Sequence, residues 1–141
     1  MKWFIFAMGA MVSVASADFF IKLAAGKLSN SIAMFIYGTC TFLFGLGWVL
    51  WQRATGVPQF AQSSGIWAGI GVGIAFSAAT LSIYATFGAG APISLASPAI
   101  RLGALLLASV IGLTVFSEPL TWRYVIGMFL AISGIYLIIT R

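Results

Sequence analysis

Histidine is absent from the 141-residue sequence, cysteine occurs once, at Cys40, and the carboxylates number two, Asp18 and Glu118. Without histidine there is no imidazole for general acid–base work, and no Cys/His constellation is left to ligate a metal. A single thiol cannot close an internal disulfide. No set of nucleophile, base and acid can be assembled, so an enzyme is the least favoured class and no cofactor is implied. Charge of either sign is scarce: charged residues make up 6% of the chain, against roughly 25% in ordinary soluble domains.

Apolar residues fill the space that charge leaves. The chain is 62% hydrophobic, with a mean hydropathy of +1.11. A bilayer crossing takes roughly 20 mostly apolar residues. Five runs of that kind occur, at about 3–23, 31–51, 65–87, 93–116 and 122–140. The links "AGKLSNS", "QRATGVPQFAQSS", "GAGAP" and "SEPLT" are short and turn-forming, so neighbouring helices run antiparallel. The expected fold is all-α and integral to the membrane, one domain of five transmembrane helices over residues 1–141. Continuous apolar runs exclude a β-barrel, whose strands alternate. The first run follows Lys2 as a signal peptide would, but it is too long for such a segment and reads as a mature helix. The net charge of +5 is spread singly at span ends, without the basic patch that nucleic-acid binding needs. Trp3, Trp48, Trp51, Trp67, Trp122 and Tyr124 lie near the span ends, as amphipathic rings do at the headgroup level.

Charge inside hydrocarbon costs at least about 2.5–3.5 kcal/mol near the centre of a helix. Asp18, Lys22 and Arg101 therefore need a reason. Asp18 and Lys22 stand at i and i+4 with the acid first, the favourable order for an ion pair on one helical face. Two readings fit: a local pair near the membrane edge, or an acid in a central cavity that exchanges Lys22 for a proton or a substrate cation. Arg101 has no acid within a turn, and it follows "ISLASP", where Pro98 removes a backbone donor and leaves the Ser94 carbonyl without its helical partner. Irregular backbone at membrane depth belongs in protein or beside a wet cavity, so Ser94, Ser97, Pro98 and Arg101 read as a cavity wall. The guanidinium there could bridge to Asp18 or hold an anionic group such as a phosphate or carboxylate.

Gly65, Gly69, Gly73 and Ser77 recur at every fourth residue and make a ridge of little bulk, suited to helix packing. Packing within one subunit is the plainer use; a subunit interface or sliding surface is the other. Gly9, Ser13 and Ala17 repeat the spacing in the first run. Five crossings put the termini on opposite sides, Lys2, Arg53 and Arg123 on one and Lys22, Lys27 and Arg141 on the other. With three cations on each side, the positive-inside rule favours neither orientation. A chain without bias can insert both ways, and two opposed copies would build an inverted-repeat transporter from one gene.

Residues 84–138, "YATFGAGAPISLASPAIRLGALLLASVIGLTVFSEPLTWRYVIGMFLAISGIYLI", resemble the end of a repeat of the EamA-type drug/metabolite transporter superfamily, with its Ser-Pro helix, its Glu-x-Leu turn and its final Gly-rich helix. Residues 19–39, "FFIKLAAGKLSNSIAMFIYGT", resemble the first hairpin of that repeat. Most members carry two inverted repeats in ten helices; this chain is similar to the five-helix, single-repeat type, which an antiparallel partner completes. The resemblance leaves Glu118 in a turn outside the transport path. The chain departs from the related small multidrug resistance proteins, since its first helix has no glutamate and Asp18 lies late in it.

The expected function is a small secondary transporter of the drug/metabolite class, an antiparallel homodimer in a bacterial or archaeal cytoplasmic (inner) membrane. It would move a small anionic or zwitterionic metabolite by alternating access. Arg101 and Lys22 would contact the substrate, Ser94, Ser97 and Tyr84 would line the path, and Asp18 would couple or gate. The alternative is a flippase, or a flippase subunit, for a polyprenyl-phosphate-linked sugar or a phospholipid, entered from the bilayer. A third class is a membrane module that binds a partner through the glycine ridge and transports nothing.

Overall fold

A computed structural model of the chain describes residues 2–140. Arg141 and the side chain of Lys2, both counted in the charge balance, lie outside that description. The described residues form five α-helices and no strand: α1 (Lys2–Ala24), α2 (Asn30–Ala54), α3 (Ser63–Gly88), α4 (Ile93–Thr114) and α5 (Trp122–Ile139). All five are long and apolar enough to cross a membrane. Hydrocarbon offers no partner to a peptide group, so each apolar run closes its hydrogen bonds on itself and becomes a helix. Hydroxyls inside the runs follow the same rule. Ser13 donates to the Gly9 carbonyl, Thr39 to Phe35, Ser82 to Ala78 and Ser133 to Phe129, each one turn back along its own helix.

The turns are sharp because each holds one residue in the left-handed region: Gly26 (φ 77°), Gly56 (φ 73°), Gly90 (φ 93°) and Ser117 (φ 51°). Glycine adopts this conformation without a Cβ clash. Ser117 is the one non-glycine residue among the four. Two helices start on hydroxyl caps, where Ser29 accepts from the Ile32 N–H at 3.4 Å and Thr121 from the Tyr124 N–H at 3.3 Å. Lys27, just after Gly26, and Arg53, shortly before Gly56, are both exposed beside their turns.

Two compact units divide the chain, α1 to α3 as far as Ala89 and α4 with α5 from Gly90. In the first unit α3 packs on both α1 and α2. Its buried residues are Asp18, Ala33, Thr80, Ile83 and Phe87. These come from the last third of α1, the first turn of α2 and the last third of α3, which antiparallel neighbours bring to a single end. The other end is open: residues 3–17, 38–51 and 63–76 are all exposed.

The second unit is an antiparallel hairpin of α4 and α5. Ser109, buried on α4, donates to the Leu105 carbonyl at 2.7 Å and lies 3.6 Å from the Met128 sulfur on α5. Glu118 folds back over the end of α4: its N–H donates to the Gly112 carbonyl at 3.1 Å, and a Cβ at position 112 would stand 2.7 Å from its carboxylate. α4 runs unbroken through Pro98. No residue of α5 is buried, so its apolar surface is left for lipid or for another helix.

Candidate functional site

Asp18 stands on α1 six residues before its end, so about 9 Å from the terminus at 1.5 Å per residue. It is 3% exposed, the only buried residue among those described on that helix. One turn further on, Lys22 is half-buried, and its ammonium lies 5.6 Å from the centroid of the Phe87 ring on α3. That distance is within reach of a cation–π attraction. Lys22 also belongs to the last turn of α1, where carbonyls without helical partners give the helix end a negative partial charge. Phe87, 2% exposed, is the largest fully buried side chain described. Thr80 and Ile83 extend the same face of α3 toward its middle, and Tyr84 is half-buried beside them.

Phe87, Thr80 and Ala33 are the residues that sequence reasoning missed. The signal was weak, since Phe87 is one of 12 phenylalanines and Thr80 one of many hydroxyls in apolar runs. The i, i+4 placement of Asp18 and Lys22 is observed on one continuous helix.

Ser94, Ser97, Pro98 and Arg101 occupy the first half of α4, in the second unit. At roughly 100° per residue the two serines and the arginine fall on one face of the helix. Ser94 and Arg101 are exposed and Ser97 is half-buried. Each unit thus carries its own polar cluster. The first holds an acid, an ammonium and an aromatic ring; the second holds a guanidinium and two hydroxyls. Such groups bind and move charge, and those of the second unit suit an anionic oxygen.

The Gly65, Gly69, Gly73 and Ser77 ridge lies on the exposed part of α3, except that Ser77 is half-buried. A Cβ added at any of the three glycines would meet no heavy atom within 4 Å. Within the first unit, then, the glycines are not a packing surface. Gly9 on α1 is equally open.

The architecture is that of a helical membrane protein, with charged side chains placed inside helices long enough to cross. No protein-family model, curated protein or solved structure matches the chain.

Proposed function

We propose that the chain is a small secondary transporter of the drug/metabolite class, of the single-repeat EamA type, that moves a small anionic or zwitterionic metabolite by alternating access. The observation that carries this reading is Asp18. An acid 3% exposed, on a helix whose residues 3–17 are all exposed, marks a polar locus inside an otherwise apolar span. Arg101 and Lys22 contact the substrate, Ser94, Ser97 and Tyr84 line its path, and Asp18 couples or gates. Two opposed copies in a bacterial or archaeal cytoplasmic membrane supply the inverted pair of repeats that alternating access uses. The even balance of flanking cations supports that assembly.

The test is exchange of a panel of labelled small carboxylates and amino acids by proteoliposomes. Arg101→Ala removes charge-assisted hydrogen bonds, and substrate affinity falls roughly 10- to 100-fold while the protein extracts as a monodisperse species. Loss of assembly instead assigns Arg101 a structural bridge. The exposure of Ser94 and Arg101 also favours a second reading, a flippase that takes a lipid-linked phosphate from the bilayer. Under that reading the panel gives no exchange, and the same proteoliposomes translocate a fluorescent phospholipid or a polyprenyl-phosphate sugar.

A further inference from the structure

The first unit is closed at one end and open at the other, and the closed end finishes on a specific contact. Lys22 and Phe87 belong to the last turns of α1 and α3, and the ammonium sits 5.6 Å above the ring centroid. The ring quadrupole and the carbonyl-rich ends of both helices all favour a cation at that point. One turn deeper on α1 is Asp18, and one turn deeper on α3 is Ile83, both buried. A solute moving along the α1–α3 seam from this end meets the Lys22–Phe87 contact before it reaches the acid. The far end differs. At roughly 100° per residue, Gly65, Gly69, Gly73 and Ser77 fall on the face of α3 that also carries Thr80, Ile83 and Phe87. There the glycines stand open, with nothing within 4 Å of an added Cβ.

We infer that Lys22 and Phe87 form a latch that shuts the α1–α3 seam at one membrane face, so that Asp18 is closed to that face until the ammonium leaves the ring. The latch deepens the transporter reading and rests on it for its purpose. A gate of this kind opens and closes by moving a tethered cation across an aromatic face, without unpacking the buried ring.

The experiment reads accessibility and not flux. In a Cys40→Ser background, Ile83→Cys reports the seam below the latch and Lys27→Cys, in the exposed turn beyond α1, gives the rate of a water-facing thiol at the same end. Both are reconstituted in lipid nanodiscs, where each membrane face meets solvent, and labelled with a water-soluble maleimide. The Lys27→Cys thiol, exposed in the turn beyond α1, reacts fast in every background, and the Ile83→Cys thiol reacts slowly. Adding Lys22→Met or Phe87→Leu accelerates labelling at position 83 by roughly 3- to 30-fold, the span of cation–π strengths, and Lys22→Arg keeps it slow. Lys22→Met leaves the apolar stem and the buried ring in place, so the test stands even where Phe87→Leu fails to assemble. Labelling of Ile83→Cys at the Lys27→Cys rate in the parent, or no acceleration by Lys22→Met, overturns the latch. The slow and accelerated pattern in a protein without any exchange activity keeps the latch and removes the transporter reading. Exchange without that pattern does the reverse.

Discussion

At the scale of single residues, the decisive fact is that so few can carry charge. Asp18 is the one carboxylate inside a span, and Glu118 belongs to a turn. Asp18→Asn keeps the size and hydrogen-bonding capacity of the side chain and removes the ability to ionise. If Asp18 couples or gates, exchange falls by at least roughly 10-fold when parent and variant are compared as monodisperse protein at equal amounts. Equal exchange by the variant would show that Asp18 has no part in transport. The position of Arg101 within a span was legible from sequence alone, because the run at 93–116 encloses it while the cations of the other spans stand near their ends. Phe87 was not. Nothing in a list of phenylalanines marks the one whose ring receives an ammonium, because that depends on which faces of α1 and α3 meet.

At the scale of elements, the helix limits were readable within two or three residues, since turn-forming links interrupt each apolar run. The expected spans of 3–23 and 65–87 compare with Lys2–Ala24 and Ser63–Gly88. The fourth run overshoots its helix by two residues for a local reason. The apolar run suggests a helix to 116, yet α4 stops at Thr114. There Ser117 turns left-handed and the Glu118 N–H closes on Gly112, and these contacts end the helix although Val115 and Phe116 are apolar. Which face of each helix packs could not be read in the same way. A helix in lipid is apolar all round, so the periodicity that marks the core of a soluble protein is missing. The four turns suggest a stability test. Three use glycine at the left-handed position and one uses Ser117 at φ 51°. Ser117→Gly relieves a Cβ clash worth about 1–2 kcal/mol and gives back part of that in unfolded-chain entropy. The net expected gain is about 0.5 kcal/mol, visible as slower thermal inactivation in detergent. Ser117→Val shifts stability the other way.

At the scale of the whole molecule, each unit has an internal logic of its own. The first is fastened at one end, and the second is fastened within two turns of its connecting loop by Ser109 against Met128 and at the loop itself by Glu118 over Gly112. Sequence reading reached five crossings but could not reach this uneven fastening, which depends on side chains meeting across helices. The small-residue ridge illustrates the gap. Its spacing points to close packing, and the glycines are open within their own unit, so a second chain, lipid or a moving helix is left to use them.

The two cations beside the first turns bear on assembly. Lys27 and Arg53 are exposed at opposite ends of α2, the one helix that joins their turns. In a crossing chain, only one of them faces the outside of a sealed vesicle. Trypsin added to vesicles of uniform sidedness therefore writes the orientation of every molecule into its fragments. An antiparallel homodimer yields both sets, one cut after Lys27 and the other after Arg53 and the exposed Arg123 of the same face, in comparable amounts. A single set means that every copy inserts the same way and that any inverted half comes from a different chain. Two ordinary surface cations thus let the untagged protein report its own handedness in the membrane, molecule by molecule.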